Sequence, residues 1–454
     1  MKSTHIKFMV GVVIAIYLMA AGSALDPKLF KLLEEHAVAP YKKPMELDSA
    51  KIELGQALFF DRILSGNKDV SCATCHHPGL NSGDNLPLAI GVGGDGLGTN
   101  RVMGPKRERI PRNSPEVFNR GAKEWHTMFW DSRVSGSLEE GFVTPADEKL
   151  PEGLDNILAV QAMFPVVSRD EMRGEIGDED IFGEPNELAL MSNAVPQSIW
   201  KQLIHRLLEI EGYQQLFEEA YPDVPQDKLG FQHAANAIAA FEIAAFTFIE
   251  SPWDRYLRGA KEALTPEALR GAMLFYGKAK CGSCHSGTLM TDQLHHNLAI
   301  PQFGPGKDDA APLDVGRYME TGLNSDRFAF RTPPLRNVTL TGPWMHNGAY
   351  NSLEDVIRHH LNPEEMLRNY DVDGLPPELS ATYKGDPTVL ERMLRYLDPF
   401  IKSIPALDDN EINDLMAFLK ALEDPAAQDL SHLVPNRVPS DLPVETLHPV
   451  DKSY

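Results

Sequence analysis

The sequence predicts a mainly α-helical protein made of two related domains, with long loops and little β structure. Three observations predict it. The segments "SCATCHHP" at Ser71 and "KCGSCHS" at Lys280 hold all four cysteines of the chain, Cys72, Cys75, Cys281 and Cys284, each pair set as C-x-x-C-H. Each pair follows a similar stretch, "LGQALFFDRILSGNKDV" from Leu54 and "LRGAMLFYGKA" from Leu269, and both stretches carry a helical Gly-x-x-Leu-Phe. Self-similarity of this kind marks a duplicated structural unit. β-Favouring runs are few and short, while Gly and Pro number 34 each and punctuate the chain with turns.

Taken in order, the chain opens with Lys2 and Lys7 ahead of the apolar run "FMVGVVIAIYLMA" and the small residues "AGSA" at Ala21 to Ala24. This is the pattern of a secretory signal peptide over residues 1–24, cut after Ala24. The run is short for a bilayer span, and the sequence offers no other membrane-crossing segment. The first domain is expected over 25–225. The Pro and Asp residues of "AYPDVPQDKLG", Ala220 to Gly230, mark its boundary. "AANAIAAFEIAAFTF", Ala234 to Phe248, reads as a buried helix that opens a second domain over 226–454.

Why would an exported chain place its only thiols in two C-x-x-C-H segments? A disulfide framework leaves the histidines unexplained. Zinc would need four ligands gathered from both pairs, and thioredoxin-like chemistry needs one pair. C-x-x-C-H is the attachment signal of c-type haem. Two thiols add to the haem vinyl groups, and the following imidazole meets the iron. The expectation is therefore two covalent haems c, with His76 and His285 as proximal ligands, in two cytochrome c-like haem domains.

Hydrophobic residues make up 43% of the chain, which suits globular domains, and the formal net charge is −22. That charge argues against nucleic acid and anionic membrane as partners. It is compatible with a basic redox partner.

Beyond the haem motifs, "LGQALFFDRILSG", "DNLPLAIG", "RNSPEVFN", "FWDSR", "DEM", "FRTPPLRNVTLTGPWMHNG" and "LDDNEINDLMAFLKAL" appear in one order along the mature chain. In this set the sequence resembles the bacterial di-haem cytochrome c peroxidases and their relative MauG. The resemblance implies a periplasmic enzyme that reduces hydrogen peroxide to water with electrons from a small donor, a cytochrome c or a blue copper protein. It implies that the N-terminal haem meets peroxide and that the C-terminal haem takes electrons in. Trp130 of "FWDSR" matches the tryptophan between the haems, and Glu171 of "DEM" the catalytic glutamate. It also implies a calcium ion at the domain junction, at Asn113 and the carbonyls of Thr341 and Pro343, and it leaves a homodimer open.

Three positions depart from that pattern. The residue that is a distal histidine in many of these peroxidases is Val92 here, which cannot bind iron. It lies in "AIGVGGDG", whose Gly91, Gly93 and Gly96 also satisfy G-x-G-x-x-G; without a βαβ context this reads as a flexible distal loop rather than a dinucleotide site. The active-site glutamine falls at Gly141 or Glu140. The distal ligand of the C-terminal haem, fourteen residues after His346, is methionine in the peroxidases and tyrosine in MauG; here it is His360. His359 and His360 stand about 100° apart on a helix, so only one can face the iron.

Among other candidates, His346 is expected near the haem edge, His77 exposed, and His295 and His296 in a loop. His126 has only its closeness to Trp130 to recommend it. Arg331 and Arg336 are candidates for pairing with haem propionates. Two alternatives stand beside the peroxidase: a MauG-like oxidase acting on a protein or organic substrate through high-valent iron, and a non-catalytic di-haem electron carrier.

Overall fold

A computed structural model describes residues 27–44 and 47–447. The expected signal peptide, residues 1–24, lies outside them. Among the described residues no helix is long and apolar enough to cross a membrane.

The helices of the two cores include α1 (Pro27–Glu35), α2 (Ser49–Phe60), α3 (Phe231–Ala245), α4 (Pro266–Tyr276), α5 (Leu353–Leu361) and α6 (Asp409–Lys420). Their ends follow ordinary capping chemistry. Asp48 accepts from the Ala50 N–H at the start of α2. Thr265 accepts from Ala268 at the start of α4, with Pro266 in the first turn. Ser352 caps α5, whose first turn carries Glu354 and Asp355, and Asp408 and Glu411 form a reciprocal box on α6. The β structure is slight. A three-stranded antiparallel sheet joins β1 (Thr127–Met128), β2 (Val134–Ser137) and β3 (Gly141–Val143). A two-residue pair joins β4 (His295–His296) and β5 (Phe330–Arg331), with His295 opposite Arg331.

The Gly-x-x-Leu-Phe repeat now has a physical meaning. A Cβ on Gly55 of α2 would fall on the Ala237 carbonyl of α3, and a Cβ on Gly271 of α4 would fall on the Asp414 carbonyl of α6. Each glycine thus lets two helix backbones meet. Around the first crossing Phe59 packs on Phe241 at 5.2 Å and Phe60 on Phe241 at 6.0 Å. Around the second, Phe275 and Trp253 pack on Phe418 at 5.1 and 5.0 Å.

This pairing corrects the domain boundary. α3 is to α2 what α6 is to α4, so it closes the first domain instead of opening the second. Phe231 through Phe248 belong to the first core, and the second begins at Trp253. The cores divide there and not at Ala220–Gly230. The chain ends are also exchanged. Leu29 and Leu33 of α1 pack in the second core, while Ala427, Leu430, Val438 and Leu442 return to the first.

Between the cores, buried Arg112 binds Asp314 through Nε and Nη2 at 2.6 and 2.9 Å, and Asp131 through Nη1 at 2.5 Å. Burial alone would raise the Asp131 carboxyl, but Arg133 and Arg112 hold it far below the usual carboxylate range.

Overpacking a tight contact typically costs about 1–3 kcal/mol. Here the obstacle is a backbone carbonyl that cannot rotate away. Gly55→Ala and Gly271→Ala should each fall at the upper end of that range. Each should lower the thermal midpoint by several degrees in differential scanning calorimetry, with exposed Gly374→Ala, whose Cβ would meet nothing closer than 3.7 Å, as the control.

Candidate functional site

The first C-x-x-C-H segment forms one helical turn, Cys72–Cys75, capped by Ser71 and Thr74. His76 follows it. Its Nδ1 lies 3.3 Å from both Ser82 O and Ser114 Oγ. The Ser114 hydroxyl donates to Cys75 O, so it accepts from the imidazole. Nδ1 therefore carries the proton and Nε2 presents a lone pair, the arrangement that orients a metal-binding histidine. Burial pushes this imidazole down to about 4, so it is neutral at physiological pH.

Two segments distant in sequence meet near this motif, where the Cys75 thiol is raised by burial first and by Glu171 among the nearby charges. The Val92 N–H donates to Glu171 O at 3.0 Å. Gly91 lies so close to the Asp170 carbonyl that no Cβ would fit. Glu171 sits in a single π-turn, Arg169–Arg173. Burial raises its carboxyl above the usual range, against the opposing pull of Arg133 and Lys307. The glycine loop is not the flexible element expected from its composition. Arg101 clamps it through the carbonyls of Ile90, Gly91 and Gly96 at 2.7, 2.7 and 2.8 Å. The glutamine position has no substitute, because Glu140 and Gly141 lie exposed at the β2–β3 hairpin.

The second motif lies on a cavity of about 180 Å³ whose lining includes Cys281, Cys284, His285, His360, Trp130 and Arg331. His285 Nδ1 lies 3.2 Å from the carbonyls of Met290 and Pro333, which again frees Nε2. Burial, with His360 nearby, pushes this imidazole down to about 4. His360 donates from Nδ1 to Val356 O at 2.7 Å, one turn back along α5. Its neighbour His359 has both ring nitrogens engaged, by the Tyr350 hydroxyl and by Leu298 O, each at 2.7 Å. Of the pair, only His360 has a nitrogen left for the cavity.

Trp130 lines the second cavity, and its chain neighbour reaches the first core. Phe129, held at a positive φ of 67°, packs toward Phe164 of the first core, and the next residue faces the second cavity. The Trp130 indole donates to Asn113 O at 3.0 Å, and its carbonyl accepts from the Arg331 N–H at 2.8 Å. Asn113 gives its own N–H to His346 O, and the His346 ring stacks on Phe330 at 3.5 Å beside the cavity, as expected of a group near the haem edge.

Several expectations are corrected. Arg336 cannot serve a propionate, since it forms a buried bidentate pair with Asp254 at 2.8 Å. Arg331 remains suitable: burial, with Arg120 nearby, pushes it down to about 9, so it lacks a full counter-charge. Sequence reasoning missed Arg120. It pairs with Glu116, yet its Nη1 is buried without a partner among the described residues. A haem carboxylate suits that orphaned donor. His77 is buried, not exposed, because its ring bonds both Gly79 and Glu445. His295 and His296 form a strand, not a loop. The His126 ring meets Glu124 O, and its backbone N–H donates to Gln293 Oε1 at 3.0 Å. Cys284, Asp292 and His296 place ligand atoms within 4.8 Å of one another. However, the Asp292 carboxylate, with Cys284 and Asp398, pushes His296 up to about 11. Cys284 is also the thiol that the attachment motif commits to haem, which leaves only Asp292 and His296 for a second metal.

Two neutral imidazoles with free Nε2 atoms, each beside a C-x-x-C pair and near buried arginines, define a di-haem c-type protein. Residues 49–262 match the family model of di-haem cytochrome c peroxidase. The chain is 31% identical over 369 residues to the methylamine utilization protein MauG of Methylorubrum extorquens, covering 81% of this chain and 84% of that one. It is 29% identical over 367 residues to the cytochrome c551 peroxidase of Pseudomonas aeruginosa, covering 80% and 86%. A solved MauG-like protein associated with microbial copper homeostasis superposes with a TM-score of 0.57 at 26% identity, covering 87% and 95%. The chain belongs to the di-haem cytochrome c peroxidase and MauG family, whose cofactors are two haems c.

Thioether attachment survives acid–acetone extraction. The intact mass of the extracted protein should exceed the bare chain by two haems. In Cys72→Ala/Cys75→Ala and in Cys281→Ala/Cys284→Ala it should exceed it by one.

Proposed function

We propose that this protein is a periplasmic di-haem c peroxidase that reduces hydrogen peroxide to two waters, taking two electrons from a small redox protein and two protons from solvent. The observation that carries this reading is the pairing of Val92 with Glu171. A side chain that cannot bind iron stands where a blocking histidine would be, and its backbone N–H donates to the main-chain carbonyl of Glu171, whose own carboxyl is buried.

When bound, the haems supply the redox chemistry, and the chain's residues do the rest. Cys72, Cys75 and His76 hold the N-terminal group, and Cys281, Cys284, His285 and His360 the C-terminal one. Arg331, with Arg120, meets propionates. Glu171 takes the proton from the inner oxygen of peroxide and delivers it to the outer one, so that water leaves. Trp130 provides the route between the two sites. A calcium ion at Asn113, Thr341 and Pro343 belongs to the same proposal. The Asn113 amide N–H is engaged by Leu86 O, which turns its oxygen, a suitable donor for a hard cation, the other way.

A MauG-like oxidase is the second reading. The exposed Gly141 in place of the glutamine favours it, because no amide is left there to steer peroxide. Turnover of peroxide with a reduced small cytochrome separates the two readings. Consumption matched to donor oxidation supports the peroxidase, and spectral change without donor turnover supports the oxidase.

Glu171→Gln should slow peroxide consumption by about 10²–10⁴-fold with both haem spectra intact. Since Glu171 acts as a base when ionised and its pKa is raised, the wild-type rate should fall as pH drops through a value above about 4.3. The variant should lose that limb. An unchanged rate in the variant would refute the role.

His360→Ala should convert the low-spin EPR signal of the C-terminal haem to high-spin, whereas His359→Ala should leave its ligation unchanged. A methionine-to-iron band in the wild type would contradict the assignment.

A further inference from the structure

The returning C-terminal segment ends on the first haem motif. Residues 424–447 run back across the first core, where Ala427, Leu430, Val438 and Leu442 are buried. Gln56 of α2 donates to Leu433 O at 2.8 Å, and Ser440 donates to buried Asp61 at 2.6 Å. The path then delivers Glu445, 4% exposed, to the turn that bears Cys72 and Cys75. One carboxylate oxygen accepts from Ser71 Oγ at 2.6 Å. The other accepts from Thr74 Oγ1 and lies 3.5 Å from Arg62 Nη2. The main-chain oxygen of Glu445 accepts from His77 Nε2 at 3.2 Å. The tautomer is fixed, since His77 Nδ1 accepts from the Gly79 N–H.

We infer that Glu445 is a positioning residue for the N-terminal haem: the C-terminal strap holds the attachment turn in register and, through it, sets the orientation of His76. The inference rests on the reading of His76 as that haem's proximal ligand. One residue binds the cap of the turn, its third position and the histidine after the ligand, across 368 or more residues of sequence. The His77 backbone continues the linkage. His77 N–H donates to Gly83 O and Ser82 N–H donates to His77 O, and Ser82 O is the acceptor of His76 Nδ1. Removing the carboxylate leaves two buried hydroxyl donors unpaired beside the proximal ligand. Groups that orient a metal ligand in this way matter by roughly 10–100-fold in affinity or activity. The second site is held reciprocally by the other chain end, where His36 O accepts from the Gly287 N–H at 3.0 Å and His36 Nε2 meets Tyr276 O at 3.1 Å. Glu445 does not touch that site, so the C-terminal haem is an internal control.

The experiment compares wild type, Glu445→Ala and Glu445→Gln as holoproteins, by EPR and by redox titration of each haem. Glu445→Ala should shift the EPR signal and the reduction potential of the N-terminal haem and leave the C-terminal haem unchanged. Peroxide consumption should fall by about tenfold. Glu445→Gln keeps an acceptor for one hydroxyl and should lie between the two. If Glu445→Ala lowers thermal stability while both haem signals match wild type, the residue is merely structural and the inference fails. If Glu445→Ala does not accumulate, Thr74→Val takes its place. It removes one of the two donors and must shift the N-terminal signal in the same direction, and an unshifted signal overturns the inference. A wild type that does not turn over peroxide would defeat the proposed function. It would leave this test intact, because the test reads the N-terminal haem itself.

Discussion

The contact of helix backbones at Gly55 and Gly271 is the constraint on which the rest of this structure depends. At each crossing a glycine allows one helix to sit against a carbonyl of another. The aromatic residues beside it, Phe59 and Phe60 in one case and Phe275 and Tyr276 in the other, then pack into a single core wall. The C-x-x-C-H turns follow these helices within about twenty residues, so each wall fixes where its histidine stands. A duplicated helix pair thus becomes a duplicated site, without similarity in the loops between.

The loops then make the two sites different. Around His76, the Arg101-clamped glycine loop brings Val92 against Glu171. Around His285, α5 supplies a second imidazole from His360. One site keeps a carboxyl and no second ligand, and the other keeps a second ligand and no such carboxyl. In the function proposed above, this division puts the chemistry at the first site and electron transfer at the second. Both iron-facing imidazoles use the same device, an Nδ1 proton given to a carbonyl, which selects the tautomer and leaves the other nitrogen basic.

Trp130 sits in a small, well-bonded region. The Trp130 indole and carbonyl are both held, by Asn113 O and by the Arg331 N–H. Its neighbour Asp131 is locked by Arg112 and Arg133. Arg112 also binds Asp314, beyond Trp253 where the second core begins, and breaking a buried charge pair by removing one partner typically costs about 3–5 kcal/mol. The exchanged chain ends reinforce this junction, since each domain is completed by a segment from the far end of the sequence.

By itself the sequence determined the local chemistry: two haem attachment turns, their proximal histidines, the helical repeat, and Val92 where no ligand is possible. Each of these depends on residues within a few positions of one another, and their spacing is visible in one dimension. Only the tertiary structure decided that the Phe231–Ala245 helix closes the first domain, because its partner α2 lies some 170 residues earlier. It alone showed that His359, the neighbour of His360, is taken up by Tyr350 and Leu298 O. It also removed Arg336 from the haem by pairing it with Asp254, and buried His77 against Glu445. The reason is the same in each case. Whether a side chain is free to serve a cofactor depends on which distant groups have already satisfied its hydrogen bonds, and such pairings over long sequence separations leave no pattern in the chain.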